Sequence, residues 1–382
     1  MRILRIHPFM KSEALLPAAG GMARTALQLT RMLAASGHDV QVLPIPEGVG
    51  SRVLWEVAPG KPVEVAPTMA LPEWEDGRWL AGSLLRLHPG PHGLRAMYYD
   101  ACALTALRRV MFSFRPDIVH NHLARRPFPR LARALGMKGN LVLTHHHGEI
   151  GEDLDAYDRI VFPSDSAREG ILGESGYPRE KTRRVYNPVN PVFLSGTVAA
   201  DRDRSGICFI GAIRTRKGID LLLDAWRGDS RLRREPLHIC GAGPDQPMIA
   251  ATAARDKPPI IQEGFCLPEK LAQLLQTVRL VVIPSRMETL GVSLLEALCS
   301  GVPVVGWAPT VREVEQVLGM PVGIPFDGRF QSAKELADAI ESAAAADFCR
   351  TANRRAMAKA ARAVFSGERY RDSYIQIYKE LL

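Results

Sequence analysis

Two carboxylates, Glu288 and Glu296, are the residues of this sequence whose type and spacing best suit the binding of a hydroxylated ligand. The sequence predicts a strand, a short polar loop that holds Glu288, and a helix that begins near Gly291. Such a turn places free backbone N–H groups at the carboxyl edge of a parallel sheet, where anions bind. Glu296 lies among apolar helix residues, where an ionised carboxylate is costly unless polar partners reach it. Ribose hydroxyls would be suitable partners; the alternatives are a solvated loop acid at Glu288 and a helix-face acid paired with an arginine at Glu296.

Gly20 and Gly21 follow the first predicted strand and precede a helix. Their N–H groups and the helix dipole could meet a phosphate from the other side of a cleft. The alternative is an ordinary turn.

Two groups of histidines also end predicted strands. His145, His146 and His147 are consecutive, and successive side chains of a strand point to opposite faces. All three therefore cannot converge readily on one metal ion, and we expect no metal site there. His120 and His122 end another strand, where they either line an acceptor site or are buried for structural reasons.

The elements that position these residues alternate between short strands and helices, which is the pattern of parallel sheets with crossover helices. In the first half, a helix is predicted over 21–36, and strands over 2–6, 39–43, 117–120, 140–144 and 159–162. The stretch 44–93 is rich in proline and glycine and predicts loops and short strands.

A second alternating series follows the polar segment 195–205. Its strands are predicted over 207–210, 237–240, 260–263, 280–283 and 303–306, its helices over 218–226, 268–277 and 291–300, and helical sequence runs from 333 onward. We therefore predict two α/β domains, 1–200 and 201–366. Segment 367–382 has apolar residues at helical spacing, and we expect it to pack back on the first domain.

Composition limits the function classes. The 382 residues are 46% hydrophobic and 24% charged, and no run approaches the roughly 20 apolar residues of a membrane span. The first residues lack a long apolar stretch, so we expect no export signal, and six scattered cysteines fit reduced thiols in a cytoplasm. The net charge of +8 attracts polyanions, but the basic residues are spread along the chain, which argues against nucleic-acid binding.

The Glu288-x7-Glu296 spacing, with Gly291 between the two acids, resembles the E-x7-E motif of retaining glycosyltransferases, in particular those of family 4 (glycosyl transferases group 1). The resemblance covers nearly the whole chain. It extends to segments 209–225, 239–244 and 264–275 in the second half and to 116–122, 144–148 and 185–190 in the first.

This resemblance implies a GT-B fold, in which two Rossmann-like domains face each other across a cleft. The donor would be held mainly by the second domain and the acceptor by the first. The implied reaction moves a hexose-type sugar from a nucleoside diphosphate, UDP first and GDP second, to an acceptor hydroxyl with retention of configuration. The resemblance implies neither a cofactor nor a metal ion.

In this family pattern, Lys217 binds the donor diphosphate, because the leaving group gains negative charge as the glycosidic bond breaks. A solvated basic residue is the alternative. The sequence has Ala212 where the family usually has arginine, and we expect Arg214 to replace it. Glu288 would hold sugar hydroxyls and Glu296 the ribose.

The resemblance assigns further residues. His146 best matches the histidine that contacts the donor sugar, with His147 as the alternative register. The other donor-binding residues would be Gly21, Gly243, Phe265, Gly291 and Val292, and the acceptor-side residues His120, His122 and Glu149.

The sequence departs from the pattern at Pro309 and Thr310, where the family often has a glycine pair. Two alternatives to transfer therefore stay open: a nucleotide-sugar epimerase of the same fold, and a non-catalytic protein that binds nucleotides or glycans. We expect a monomer or homodimer, and any membrane contact to be peripheral.

Overall fold

The computed structural model describes residues 1–8, 21–45, 53–58, 61–65, 107–122, 128–134, 136, 140–146, 154–256 and 260–382. The chain divides into two compact units. The first unit contains Met1–Phe162, Ile171–Val185 and Arg371–Leu382, and the second contains Pro163–Gly170 and Tyr186–Tyr370. The second unit thus includes residues 186–200, which the sequence analysis assigned to the first domain.

The first unit is built on an eight-stranded sheet in the order β3-β4-β2-β1-β5-β6-β7-β8. All neighbouring pairs are parallel except β3 with β4. The strands are β1 Arg2–Pro8, β2 Asp39–Ile45, β3 Val53–Ala58, β4 Lys61–Val65, β5 Ile118–Asn121, β6 Leu141–Thr144, β7 Arg159–Phe162 and β8 Thr182–Arg184.

The second unit is built on a six-stranded parallel sheet in the order β11-β10-β9-β12-β13-β14. The strands are β9 Ile207–Ile210, β10 Leu237–Cys240, β11 Ile260–Gly264, β12 Leu280–Ile283, β13 Val304–Trp307 and β14 Gly323–Phe326. Counted within the sheet, the order is 3-2-1-4-5-6, which is that of dinucleotide-binding folds. The order reverses between β9 and β12, and ligands bind at the carboxyl edge at such a reversal.

Helices connect most of the strands. In the first unit they are Gly21–Ala35, 107–114 and Phe128–Ala134; in the second, Ile219–Gly228, Pro247–Asp256, Pro268–Thr277, Val292–Cys299, Ala308–Leu318, Ala333–Ala345 and Thr351–Val364. Two more, Asp165–Ser175 and Gly367–Lys379, begin in the second unit and end in the first.

The predicted strands and helices lie within two residues of those observed, because strands covered on both faces form continuous apolar runs. All residues of β5, β6, β9, β12 and β13 are buried. Strands β8 and β14 were not predicted from the sequence, and β3 and β4 fall in the stretch 44–93, for which only loops and short strands without bounds were predicted. The rest of that stretch, 46–52, 59–60 and 66–93, lies outside the described residues.

The helix Gly367–Lys379 buries one face, formed by Tyr370, Tyr374, Ile377 and Tyr378. From Arg371 onward its residues belong to the first unit, although they follow the whole of the second unit in sequence. Among the described residues, none of the helices has both the length and the apolar character of a membrane span.

Gly218 joins two elements of the second unit at the reversal point. It ends the short 3-10 helix Thr215–Lys217, which follows β9, and it precedes the helix Ile219–Gly228. Its φ of 76° lies in the left-handed region, and a Cβ atom there would collide with the backbone carbonyl of Pro284, just after β12. Glycine therefore lets the turn after β9 touch the loop after β12.

We predict that Gly218→Ala destabilises the second unit more than Gly319→Ala does. Both glycines have a left-handed backbone, with φ of 76° and 67°, so a side chain costs roughly 1–2 kcal/mol at either position. A Cβ atom at Gly319 would have no neighbour within 4 Å, whereas at Gly218 it meets the backbone of Pro284. That overlap should add about 1–3 kcal/mol. Thermal unfolding measures both losses, and equal losses of Tm would contradict the close approach at Gly218.

Candidate functional site

The loops after β9 and β12 bring Lys217 and Glu288 into contact. The Lys217 ammonium donates to Oε1 of Glu288, and the two side chains are 19% and 10% exposed. The hydroxyl of Ser285 donates to the same oxygen at 2.8 Å. A cation and a carboxylate predicted from separate parts of the sequence thus form one ion pair at the reversal of strand order.

The helix Val292–Cys299 begins beside this pair. Its N-cap is Gly291, whose φ of 73° is left-handed and which provides no side-chain cap. A Cβ atom at Gly291 would lie 3.8 Å from the carboxyl carbon of Glu288, so the helix N-terminus and the carboxylate are neighbours. The first N–H groups of a helix have no partner within it, and they favour an anionic group. The predicted residues Gly291 and Val292 therefore adjoin the Lys217–Glu288 pair.

A second ion pair, which the sequence analysis missed, ties the two loops together. Both terminal nitrogens of Arg286 donate to the Asp220 carboxylate, at 2.8 and 2.7 Å. Arg286 also donates to the carbonyl of Thr215, and its backbone N–H donates to the carbonyl of Arg216 at 2.9 Å. The carboxylate raises the pKa of the Arg286 guanidinium above its usual value. Arg286 lies within the E-x7-E segment, but its partner Asp220 could be found only from the fold.

The loop after β10 supports the same turn. Asp245 accepts from the backbone N–H of Thr215 at 2.6 Å and from its hydroxyl at 2.8 Å. These hydrogen bonds from Thr215 lower the pKa of the Asp245 carboxyl. A Cβ atom at Gly243 would collide with the backbone of Ile213, so this predicted residue serves the close packing of the loops. Arg214, which precedes Thr215, is exposed.

The other two predicted donor residues lie farther along the same elements. Glu296 is 4% exposed, on the helix that Gly291 begins. Phe265 follows β11 and is 46% exposed. Since β10 separates β11 from β9, Phe265 is not part of the site around the Lys217–Glu288 pair.

The start of the helix Asp165–Ser175 links Glu313 to the loop that carries Glu288. Its carboxylate accepts from the backbone N–H groups of Asp165, at 2.7 Å, and Ser166, at 2.9 Å, at the start of the helix Asp165–Ser175. Ser164, the preceding residue, donates its hydroxyl to the carbonyl of Thr289, next to Glu288. Glu313 was not among the site residues predicted from the sequence, although it lies three residues after Thr310.

In the first unit, three predicted histidines lie together. Nδ1 of His122 is 3.0 Å from Nε2 of His146, and the rings of His120 and His122 are stacked with their centroids 4.4 Å apart. His145 is fully buried beside Phe162. Adjacent residues His145 and His146 thus have different surroundings.

The remaining predicted residues of the first unit are placed only in part. Gly21 is the first residue of the helix Gly21–Ala35. Gly20, His147 and Glu149 lie outside the described residues.

The histidines contact an arginine. Nη1 of Arg5 is 2.5 Å from Nδ1 of His120, and Nη2 of Arg5 is 2.6 Å from Nε2 of His122. Arginine can only donate, so these two ring nitrogens accept and their lone pairs are occupied. Across the described part of the chain, no group of three or more His, Cys, Asp or Glu side chains is arranged to hold a metal ion.

Comparison with known proteins connects this geometry to a family. The profile described as glycosyl transferases group 1 matches residues 204–345, and the profile described as glycosyltransferase family 4 matches residues 19–193. A 2-deoxystreptamine N-acetyl-D-glucosaminyltransferase from Streptomyces fradiae is 24% identical in an alignment of 378 positions that covers 85% of this chain and 85% of the other.

Solved structures show the same architecture. Sucrose-phosphate synthase from Thermosynechococcus elongatus is similar with a TM-score of 0.71 at 19% identity, over 99% of this chain and 98% of the other. HepE from Anabaena, in complex with UDP and glucose, is similar with a TM-score of 0.68 at 17% identity, over the full length of both chains. Two parallel-sheet α/β domains with these neighbours have the GT-B fold. The chain therefore belongs to the group 1 glycosyltransferases, of the family 4 type.

Proposed function

We propose that this glycosyltransferase moves a hexose-type sugar from a nucleoside diphosphate, UDP first, to an acceptor hydroxyl, with retention of anomeric configuration and without a metal ion. The observation that carries the proposal is the Lys217–Glu288 pair beside the helix N-terminus at Gly291. A cation, a carboxylate and backbone N–H groups there match a diphosphate linked to a hydroxylated sugar.

Lys217 is the residue that supports departure of the diphosphate. When the bond between the sugar C1 and the phosphate oxygen breaks, negative charge grows on that oxygen, and a fixed cation stabilises it. The N–H groups at Gly291 and Val292 also direct the positive ends of their dipoles toward this oxygen. The ion pair between Asp220 and Arg286 holds the turn that carries Lys217. The Lys217 ammonium is therefore in place before the donor binds.

Glu288 has two roles in this scheme. Without a donor, its carboxylate neutralises Lys217, so neither partly buried charge is unpaired. When the donor binds, the diphosphate replaces Glu288 as the partner of Lys217, and the carboxylate accepts hydrogen bonds from sugar hydroxyls. Binding thus exchanges one ion pair for another.

Retention follows from attack on the same face that the leaving group occupies. The acceptor oxygen forms its bond to C1 as the bond to the phosphate oxygen breaks, and the acceptor proton passes to that phosphate oxygen. The protein then contributes positioning and charge stabilisation, and no separate general base is required. Because Lys217 and the helix N-terminus supply positive charge, the scheme needs no metal ion.

The comparisons guide the choice of substrates. HepE was solved with UDP and glucose, which supports UDP as the first nucleotide to test. The Streptomyces relative is named for 2-deoxystreptamine, a hydroxylated ring, so ring polyols are the first acceptor class. The family profiles favour transfer over the epimerase alternative.

We expect UDP to stabilise the protein against heat more than GDP, ADP or dTDP does. At about 100 times its Kd, a ligand that binds only the folded state adds about 2.7 kcal/mol. Lys217→Ala should abolish the UDP-induced shift in Tm because it removes the cation that meets the diphosphate. Arg216→Ala is the matched control, because Arg216 is exposed in the same turn, and it should keep the shift. If no nucleotide raises the Tm of the wild type, the donor site is wrongly assigned.

The anomeric configuration of the product gives a second test. With a UDP-α-sugar and an accepted ring polyol, early product should carry the α linkage, because attack occurs on the face of the leaving group. The one-bond and three-bond couplings of the anomeric proton in an NMR time course distinguish α from β. A β product would show inversion and would exclude same-face attack.

We also expect transfer to continue at an unchanged rate in 10-fold excess EDTA over any added divalent ion, since Lys217 supplies the charge. Initial rates with EDTA, and with EDTA followed by excess Mg²⁺ or Mn²⁺, measure this. A loss of activity that the added metal restores would refute the metal-free scheme. The control for donor binding is the UDP-induced shift in Tm, which should persist in EDTA.

A further inference from the structure

Arg5 is a fully buried arginine in the middle of β1, and no carboxylate contacts it in the described part of the chain. All four terminal N–H groups of its guanidinium can be assigned. Nη1 reaches Nδ1 of His120 at 2.5 Å and the hydroxyl of Tyr378 at 3.1 Å. Nη2 reaches the carbonyl of Ala26 at 3.1 Å and Nε2 of His122 at 2.6 Å. A buried cation is thus held entirely by neutral acceptors.

These contacts determine where the protons of the two histidines lie. A neutral imidazole has one donor nitrogen and one acceptor nitrogen. Because Arg5 can only donate, Nδ1 of His120 and Nε2 of His122 accept. The proton of His120 is therefore on Nε2, which donates to the hydroxyl of Thr144 at 2.7 Å. The proton of His122 is on Nδ1, which faces Nε2 of His146 at 3.0 Å.

The hydrogen bond from His122 also determines the tautomer of His146. Since His122 donates from Nδ1, Nε2 of His146 accepts, and the proton of a neutral His146 is on Nδ1. The rings of His122 and His146 are stacked with centroids 5.3 Å apart, which keeps the second ring oriented. A doubly protonated His122 would lose its acceptor and place a second cation against Arg5.

The helix Gly367–Lys379 completes the arrangement from the other side. The hydroxyl of Tyr378 lies 2.5 Å from Nδ1 of His120, and that of Tyr374 lies 2.7 Å from the hydroxyl of Thr144. Burial raises the pKa of Tyr378 to about 12, so its phenol is neutral at physiological pH and does not neutralise Arg5. The positive charge of the Arg5 guanidinium therefore remains beside His120 and His122.

We propose that Arg5 is a positioning residue that, through His122, fixes His146 as the Nδ1–H tautomer. The proposal rests on the proposed function and on the contact with the donor sugar that the family resemblance implies for His146. A His146 held in this form offers a hydrogen-bond donor from Nδ1 and has no lone pair available there to take the acceptor proton. His146 then orients a sugar oxygen, and the phosphate remains the proton acceptor.

The test is the histidine tautomers themselves, read from two-bond ¹H–¹⁵N correlation spectra at neutral pH. Single variants His122→Gln and His146→Gln assign the resonances. In the wild type we expect His120 with its proton on Nε2, and His122 and His146 with theirs on Nδ1. A wild-type His146 protonated on Nε2, or on both nitrogens, would overturn the proposal without any further variant.

Arg5→Met should release both His122 and His146 into a mixture of tautomers or into the imidazolium form. Tyr378→Phe is the matched control, because it removes a buried hydroxyl from the same cluster but leaves Arg5 on His122. It should leave the tautomers of His122 and His146 unchanged. Unchanged tautomers in a folded Arg5→Met variant, or altered ones in Tyr378→Phe, would contradict the role of Arg5.

Kinetics separate this inference from the proposed function. We expect kcat of Arg5→Met to fall by about 10-fold to 10²-fold, up to the value for loss of one preorganised donor, while the UDP-induced shift in Tm persists. Arg5→Lys should restore the His122 tautomer and part of kcat, because an ammonium also only donates. A persistent UDP shift with a wild-type kcat in Arg5→Met would refute the positioning role and leave the donor site standing.

Discussion

The reversal of strand order between β9 and β12 is the constraint on which the Lys217–Glu288 site depends. Because the connections on either side of the reversal leave toward opposite faces of the sheet, the carboxyl edge is open there. The backbone then sets where the charges lie. Gly218 lets the turn that carries Lys217 touch the loop at Pro284. The bidentate pair between Arg286 and Asp220 joins the loop after β12 to the helix that follows the Lys217 turn, with a geometry that a single hydrogen bond would not impose.

Much of this arrangement could be predicted from the sequence because its signals are local. Strands such as Ile207–Ile210 and Leu280–Ile283 are continuous apolar runs, which is what burial on both faces requires. Glycines mark both ends of the helix Val292–Cys299. The spacing of Glu288 and Glu296, with these elements around it, was sufficient to predict the family and the fold, and both are confirmed. The class of enzyme, a glycosyltransferase, is supported as well.

What the sequence could not provide were polar partners far apart along the chain. Asp220 gives no local sign that it binds Arg286, and Glu313 gives none that it caps the helix at Asp165. Arg5 is a charged residue within an apolar strand, and only the fold reveals that its acceptors are histidines. Such pairs are selected by tertiary packing, since burying a charge is tolerable only where acceptors converge on it. Strands β8 and β14 were missed because Thr182–Arg184 is polar and Gly323–Phe326 contains a glycine and a proline, so neither is a continuous apolar run.

The return of the chain to the first unit has a consequence for synthesis on the ribosome. Domains generally fold in the order in which they emerge, N-terminal first. Here Arg5 is translated before nearly all of the second unit, whereas Tyr378, which accepts from it, follows the entire second unit. The nascent first unit therefore emerges with its buried guanidinium short of one acceptor and with the surface that Tyr374 and Ile377 will cover still exposed. The first unit can therefore be completed only after the whole of the second unit, which includes the continuous stretch from Tyr186 to Tyr370, has been translated.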